Sequence, residues 1–242
     1  MDRAVIRDDM VDSLEHDSKG VVRTEAVGLA LRDVPRHEFV PDERRAYSDQ
    51  SHEHAGTRVL APRSVARLFE ALQVRPDDAV LVVGAGVGYT SAVAAELTGA
   101  RNVHAVDITR HVVYDARQNL ADAGYGDVLV DCRDGSKGLA EYAPFDRVLV
   151  EAAAVEPPRA LVSQLADDGR LVMPRGVGDQ TLVVVDGDGR VVEEHGPVAY
   201  APLLVEGEQA GALERNRTDR EDRERAEQSA GRGWEHDWID WD

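Results

Sequence analysis

The central part of the chain alternates between short apolar runs rich in β-branched residues and longer amphipathic stretches. The apolar runs, which predict strands, lie at 79–83, 102–106, 126–130, 145–150 and 170–173. The stretches between them that predict helices lie at 89–98, 109–123 and 157–166. Continuous apolar strands separated by helices predict a parallel sheet that is covered on both faces. The expected fold is therefore α/β and Rossmann-like.

Two more strand candidates follow the core at 180–186 and 190–193. The sequence DGDG between them is a turn signal, and two strands joined by so short a turn pair in antiparallel fashion. The mostly parallel sheet is thus expected to end in a C-terminal antiparallel hairpin at its far edge.

The region before the sheet predicts helices and loops. Its apolar positions with helical spacing are Met10, Val11, Leu14, Val27, Leu29, Ala30 and Leu31. Pro35 ends this pattern, and VPRHEFVP (34–41) is expected to be a rigid, extended connector because two prolines bound it. Residues 46–61 are expected to form a loop, and 64–72 has the spacing of a helix.

These patterns divide the chain into a helical and loop subregion (1–78), a Rossmann-like core (79–205) and a charged tail (206–242). Most of the tail lacks large apolar residues, so it cannot build a core of its own. Its tryptophans share one helical face, and they are Trp234, Trp238 and Trp241. Two interpretations stay open: a frayed terminus, or a segment that docks on its own domain or mediates self-association.

The chain is strongly acidic, with 46 acidic against 28 basic residues and a formal net charge of −18. Only Lys19 and Lys137 are lysines, and all other basic residues are arginines. Such a surface is typical of a high-salt cytoplasm, because salt screens the repulsion between like charges. Nucleic acid is not expected as a direct partner, since phosphate binding needs a basic patch.

Compartment and metal content follow from a few residues. No run of about 18 apolar residues occurs, so no membrane span is expected. The single cysteine, Cys132, rules out an intrachain disulfide and favours a reducing cytoplasm. His52 and His54 lie close together, but no further ligand cluster accompanies them, so no metal site is expected.

The first strand of the core runs into a loop with the pattern G-x-G-x-G, formed by Gly84, Gly86 and Gly88. Glycine permits a tight turn and lets the backbone approach a ligand closely. The dinucleotide fingerprint would need a glycine at position 89, which is Tyr89. The loop therefore favours a nucleoside ligand without a pyrophosphate, namely S-adenosyl-L-methionine.

Two carboxylates follow the next two strands. Asp107 ends the second strand, where a carboxylate can accept hydrogen bonds from ribose hydroxyls, and Asp134 follows the third, where it can accept from an adenine amino group. Ligands of open α/β sheets bind beyond the carboxyl ends of the strands, so the loop and both carboxylates are expected to meet in one cleft. Structural alternatives exist for each, because Asp107 could cap a helix and Asp134 could be a turn residue.

Beyond these signals, the chain resembles the protein-L-isoaspartate O-methyltransferase family over roughly residues 8–205. The blocks that carry the resemblance are VPRHEFVP (34–41), AYSD (46–49), GTRVLAPRSVARLFEAL (56–72), VLVVGAGVGY (80–89), RDGSKG (133–138), APFDRVLVEAAA (143–154), DGRLVMPRG (168–176) and YAPL (200–203). The family uses S-adenosyl-L-methionine to methylate the misplaced α-carboxylate of isoaspartyl residues in damaged proteins. The resemblance implies this activity, and proteins or peptides with isoaspartyl residues as substrates.

The resemblance also implies roles for particular residues. The implied cofactor contacts are Gly84, Ala85, Gly86, Gly88, Asp107, Ile108, Asp134, Gly135 and Gln180. The implied acceptor contacts are Thr57, Arg58, Val59 and Leu60. Leu60 stands where the family has a serine associated with the reacting carboxylate, so no catalytic residue is assigned. Val82 stands where the family usually has an acidic residue, two positions before the first loop glycine.

The expected chemistry needs no general base, because a carboxylate with a pKa near 4 is already ionised at pH 7. Arg58 could grip that carboxylate bidentately, or it could be a solvent-exposed loop arginine. Three other functions stay open: a divergent methyltransferase with another acceptor, a non-catalytic binding or assembly module, and a nicotinamide dehydrogenase, which Tyr89 disfavours.

The charge balance leads to a test of salt dependence. We expect the chain to unfold in dilute buffer and to refold in molar salt, because its acidic side chains repel one another unless they are screened. Circular dichroism during dialysis between the two buffers measures this. Full stability at low ionic strength would contradict the hypothesis of a salt-adapted protein.

Overall fold

The structure is a computed structural model, and it describes residues 3–16, 20–54 and 56–205. In this part of the chain the α-helices are α1 (Arg3–Glu15), α2 (Glu25–Asp33), α3 (Pro62–Leu72), α4 (Tyr89–Thr98), α5 (Arg110–Asp122) and α6 (Arg159–Val162). The strands are β1 (His52–His54), β2 (Thr57–Val59), β3 (Val80–Val83), β4 (Val103–Asp107), β5 (Leu129–Cys132), β6 (Phe145–Val150), β7 (Leu165–Arg175), β8 (Gln180–Val185) and β9 (Val191–Val198). The tail hypotheses, which concern residues 206–242 and their three tryptophans, lie outside the described residues.

Seven strands form the central sheet in the order β5-β4-β3-β6-β7-β8-β9. Neighbouring strands from β5 across to β7 run parallel, whereas β7, β8 and β9 pair in antiparallel fashion. The prediction of a mostly parallel α/β sheet with a C-terminal antiparallel hairpin is therefore confirmed. The strand order reverses direction at β3, and such a switch point is where open α/β sheets bind ligands.

Both faces of the sheet are buried, which explains why its strands are continuous apolar runs. Along β3, Val80 and Val82 belong to one apolar cluster, and Leu81 and Val83 belong to the cluster on the opposite face. The first cluster also contains buried residues of α1 to α5, so the N-terminal helices share a core with the sheet. Among the described helices, none has the length and apolar character needed to cross a lipid bilayer.

Three predictions for the region before the sheet differ from the structure. The connector 34–41, predicted to be extended, contains a short 3₁₀ turn at Arg36–Glu38, where the Glu38 and Phe39 N–H groups donate to the carbonyls of Pro35 and Arg36. The predicted loop 46–61 contains the antiparallel hairpin β1–β2. Leu29 is exposed rather than buried with its neighbours. Strands and turns of three residues carry too short a pattern to be recognised from periodicity.

A second group of differences lies at the boundaries of the later elements. The helix predicted at 157–166 is limited to α6, because Leu165 already pairs with Phe145 at the start of β7. The strand predicted at 126–130 lies at β5, and β9 extends well beyond the predicted 190–193. Pairing with a neighbouring strand decides where these elements begin and end, and the local sequence does not contain that information.

One fully buried arginine connects the N-terminal region to the core. The Arg36 guanidinium donates from Nε to the Ala46 carbonyl at 2.8 Å and from Nη2 to the Leu60 carbonyl at 2.5 Å. It also lies 4.5 Å from the centre of the Tyr89 ring, at the first residue of α4. A buried cation is tolerated when carbonyl oxygens and an aromatic face replace its water. Arg36 thereby holds the 57–60 segment against the core.

We expect Arg36→Met to lower the free energy of unfolding. The substitution leaves the buried Ala46 carbonyl without its donor, at about 1–3 kcal/mol, and also removes the donor of the partly buried Leu60 carbonyl. Urea denaturation in high salt measures the loss. The control is Arg44→Met at an exposed position, for which the change should stay within about 0.5 kcal/mol. Equal stability of the two variants would contradict the role given to Arg36.

Candidate active site

A cleft of about 380 Å³ lies beyond the carboxyl ends of β3, β4 and β6. The predicted site residues that line it are Thr57, Arg58, Leu60, Gly84, Gly86, Asp107, Ile108 and Gly135. They come from four segments of the chain: three lie at the ends of parallel strands, which bring them to the same edge of the sheet, and the fourth, 57–60, belongs to the separate β1–β2 hairpin and the residue after it. The β1–β2 hairpin forms one wall of the cleft, and residues 200–204 form a second wall.

The floor of the cleft is the glycine bend after β3. The N–H groups of Gly84 and Ala85 both donate to the Val106 carbonyl at 2.9 Å, which fixes the bend against the end of β4. Gly84 has φ +91°, a left-handed conformation that strains any residue with a Cβ. Across the cleft, a Cβ on Gly135 would lie only 2.5 Å from the Val83 side chain. The turn therefore favours glycine at position 84, and close packing against the end of β3 requires it at position 135.

Asp107 joins the bend to the next strand. One carboxylate oxygen, Oδ2, accepts from the Gly86 N–H at 3.2 Å, and Oδ1 accepts from the Thr109 N–H at 2.9 Å. Burial raises the pKa of Asp107, and these two N–H donors act in the opposite direction by stabilising the ionised form. The carboxylate is thus held in one orientation at the edge of the cleft, and it retains lone pairs that can accept from a ligand.

A second carboxyl group, Glu151, follows β6 on the other side of the bend. Its backbone N–H donates to the Val83 carbonyl at 2.8 Å, and its Cβ would lie 3.4 Å from a Cβ on Gly84. Burial is the main cause that raises the pKa of Glu151 to about 8, and the nearby Asp107 charge adds to it. The Thr90 hydroxyl opposes both effects.

The β1–β2 hairpin forms the wall above the glycine bend. Glu53 and Arg58 lie opposite each other in the hairpin, and Arg58 Nε donates to Glu53 Oε1 at 3.0 Å. A Cβ on Gly86 would lie 3.4 Å from the Thr57 hydroxyl, so this wall reaches down to the glycine bend. Leu60, which stands at the position of the family's serine, contributes to the lining of the cleft as an apolar residue.

Residues 200–204 form the second wall. Ala153 binds this segment through its backbone, donating to the Ala201 carbonyl and accepting from the Leu203 N–H, both at 2.8 Å. Gln180 binds it through its side chain, because Nε2 donates to the Tyr200 carbonyl at 3.0 Å and Oε1 accepts from the Tyr200 N–H at 2.7 Å. Gln180 therefore positions a wall of the cleft and does not line the cleft itself.

The structure places the remaining predicted residues around the cleft rather than in its lining. Val59 and Ala85 are buried and line a small adjoining cavity. Gly88 lies directly before α4 with φ +92°, and a Cβ there would lie 3.0 Å from Leu120, so glycine permits close packing at this position. Asp134 caps a short turn, since Oδ1 accepts from the Ser136 N–H at 2.9 Å and from its hydroxyl at 2.6 Å.

Sequence reasoning assigned no role to several residues of the lining. Glu151 could have been found by the reasoning that identified Asp107, because it directly follows a parallel strand at the edge of the sheet where ligands bind. Tyr200 lies in the YAPL block, whose place in the cleft depends on long-range pairing with Ala153 and Gln180. Within the described ranges, His, Cys, Asp and Glu side chains form no group of three that could hold a metal ion.

Comparisons with known proteins identify relatives of this chain. The sequence model of the protein-L-isoaspartate(D-aspartate) O-methyltransferase family matches residues 6–209. The protein-L-isoaspartate O-methyltransferase of Aeropyrum pernix is 43% identical over 209 residues, which cover 81% of this chain and 78% of the relative. That of Pyrobaculum arsenaticum is 43% identical over 203 residues, which cover 80% of this chain and 98% of the relative.

A solved structure shows the same fold. It is a Plasmodium falciparum protein assigned as a protein-L-isoaspartate O-methyltransferase, in complex with S-adenosyl-L-homocysteine. The two structures align with a TM-score of 0.73 at 19% identity, over 82% of this chain and 98% of that chain. At this identity the likeness shows the fold alone.

The fold and the cleft define a Rossmann-like methyltransferase that depends on S-adenosylmethionine. Within this class, the chain belongs to the protein-L-isoaspartate(D-aspartate) O-methyltransferase family. The prediction of a methyltransferase is confirmed, and the nicotinamide dehydrogenase considered from the glycine loop is wrong.

Proposed function

We propose that this chain methylates the α-carboxylate of isoaspartyl residues in proteins or peptides and thereby acts in the repair of damaged proteins. One observation carries the proposal: a carboxylate anchored by backbone N–H groups and a segment with an arginine line the same cleft. Asp107 supplies the first feature and Arg58 the second. The first suits a nucleoside with free ribose hydroxyls, and the second suits an anionic acceptor.

The residues present fit S-adenosylmethionine as the methyl donor. The cleft volume is in the range of small-molecule sites, and Gly84 and Gly86 of the bend contribute backbone without side chains to its floor. Asp107 would accept from the ribose hydroxyls, while Ile108 and Gly135 would flank the adenine. A contact between Asp134 and the adenine amino group stays a prediction, because the Asp134 carboxylate already accepts from Ser136. Gln180 would act by positioning Tyr200.

The reaction requires little acid–base chemistry from the protein. When bound, S-adenosylmethionine supplies a sulfonium methyl group, which the acceptor carboxylate displaces to give a methyl ester and neutral S-adenosylhomocysteine. The acceptor is ionised at pH 7, so the residues of the cleft need only orient it and exclude water. The negative charge of the carboxylate and the positive charge of the sulfonium both disappear during the transfer. Apolar residues of the walls, such as Leu60 and Leu203, therefore do not raise the energy of the transition state.

Arg58 is the residue that we assign to the acceptor carboxylate. In this structure its guanidinium binds the Glu53 carboxylate, and its side chain is 50% exposed. An incoming carboxylate can compete with an exposed ion pair because such pairs contribute little stability. The charge of Arg58 also stabilises the unreacted carboxylate, so its main effect should be on binding rather than on the chemical step.

We also place this activity in a reducing, salt-rich cytoplasm. The lone Cys132 supports the reducing compartment, and the net charge of −18 supports the high salt. Assays of the enzyme should therefore contain molar salt.

The test of the proposed function is a methyl-transfer assay with two peptides that differ only in one residue. Tritiated S-adenosylmethionine should label the isoaspartyl peptide, and the same peptide with ordinary aspartate should stay unlabelled. Binding of S-adenosylmethionine without labelling of either peptide would favour a methyltransferase with another acceptor. Failure to transfer methyl groups to any protein of aged extracts would favour a non-catalytic binding module.

We expect Arg58→Ala to raise KM for the isoaspartyl peptide by about tenfold, because one charged hydrogen bond is lost at a half-exposed site. The dissociation constant for S-adenosylmethionine should stay unchanged. Steady-state kinetics and calorimetry measure the two effects. Arg63→Ala is the matched control, since Arg63 is also 50% exposed and pairs with Asp49 outside the cleft. An unchanged KM for the Arg58 variant would contradict the assignment.

A further inference from the structure

Glu151 has no role in the function proposed above, yet it lines both the main cleft and the small cavity beside it. Its Oε1 has essentially no accessible surface and no hydrogen-bond partner within the described part of the chain. An unpaired buried carboxyl oxygen is costly unless a ligand or a proton satisfies it. The position of this group therefore points to a cationic ligand.

The order of the strands indicates which part of the cofactor reaches Glu151. In the sheet, Gly135 follows β5, Asp107 ends β4, the glycine bend follows β3, and Glu151 follows β6. The proposed contacts with adenine and ribose occupy the β5 and β4 side. The methionine portion of the cofactor is attached to the ribose, so it continues past the bend towards β6.

We infer that Glu151 binds the α-ammonium group of the methionine portion of S-adenosylmethionine. The inference rests on the function proposed above and adds a residue for cofactor recognition. Oε1 is placed where it gains a charged hydrogen bond only when the cofactor is present. Val82, where the family usually has an acidic residue, is fully buried in the sheet. Of these two strands, β3 therefore contributes no carboxylate at position 82, and the parallel pairing of β6 with β3 places the Glu151 carboxylate at the cleft.

The ammonium group is a better partner for Glu151 than the sulfonium. The sulfonium loses its charge when the methyl group is transferred, so a carboxylate held against it would stabilise the ground state and slow the reaction. The ammonium keeps its charge throughout, and a carboxylate can bind it without opposing the transfer.

The pairing couples cofactor binding to a proton. Because the pKa of Glu151 is raised to about 8, the free protein holds this group mostly neutral at pH 7. The bound ammonium stabilises the ionised form, so binding at pH 7 releases a proton and affinity rises with pH up to about 8. Above that pH the free cofactor loses its own ammonium proton, since α-amino groups titrate at about 7.7–8.0. At pH 9 binding should therefore take a proton up.

Other charged and titratable groups near Glu151 also affect how strongly cofactor binding is coupled to proton release. Burial raises the pKa of Glu151, and the Asp107 charge at the end of β4 adds to it; burial likewise raises the pKa of Tyr200 in the wall formed by residues 200–204, and the Glu151 charge adds to that shift. Thr90 of α4 acts in the opposite direction on Glu151. Arg58 and Glu53 line the same cleft and pair with each other.

The experiment is calorimetric titration in high salt, with buffers of different ionisation enthalpy, which counts protons per ligand bound. At pH 7, S-adenosylmethionine and S-adenosylhomocysteine should each release roughly 0.5–0.9 proton, because both carry the ammonium. Methylthioadenosine, which lacks the amino-acid portion, should release none. Equal release with methylthioadenosine, or none with the two amino-acid-bearing ligands, would overturn the inference.

The variant Glu151→Gln keeps the shape of the neutral side chain. It should abolish proton release at pH 7, weaken binding by about tenfold or more at pH 8, and flatten the pH profile of affinity between pH 6 and 8. Glu53→Gln is the matched control at another glutamate of the cleft, 73% exposed, and it should keep the proton release of the parent. An unaltered release in the Glu151 variant, with thermal unfolding confirming its fold, would contradict the assignment.

The two proposals fail in different ways. If the parent binds S-adenosylmethionine and methylates the isoaspartyl peptide without releasing a proton at pH 7, the role of Glu151 is wrong and the proposed function stands. If the parent does not bind S-adenosylmethionine in high salt, the proposed function fails and the inference fails with it.

Discussion

The parallel register of β4, β3 and β6 is the constraint on which the site depends. It brings the ends of three strands to one edge, where Val106 accepts two backbone hydrogen bonds from the glycine bend. Asp107 and Glu151 then lie on opposite sides of that bend because they terminate its two neighbours. A shift of one residue in either pairing would turn one of these carboxyl groups away from the cleft.

The site holds two carboxyl groups in different electrostatic environments. Asp107 accepts from two backbone N–H groups, whereas the Oε1 atom of Glu151 has no partner among the described residues. Burial raises the pKa of both, but only at Asp107 do backbone donors oppose it. Asp107 is therefore ready to accept hydrogen bonds from a ligand. Glu151 lacks a partner for Oε1 until a cationic group binds beside it. An unpaired buried group is tolerated here because the ligand supplies its partner.

The segment 57–60 shows how a divergent sequence can keep the architecture of its family. Its backbone is held by the buried Arg36, which donates to the Leu60 carbonyl, and this contact does not depend on the side chain at position 60. Arg58 and Leu60 can therefore differ from the usual residues while the wall stays in place. In this segment, the charged Arg58 would recognise the acceptor, and the apolar Leu60 would help to exclude water.

The sequence by itself determined the α/β class, the parallel core, the antiparallel end and the strand-end positions of Gly84 and Asp107, because these follow from apolar periodicity and glycine geometry. Only the tertiary structure decided that Gln180 supports a wall and that Asp134 caps a turn. It also decided that Glu151 faces the cleft and that α6 ends after one turn. The physical reason is that hydrogen-bond partners far apart in the chain set these outcomes, and local patterns do not record them.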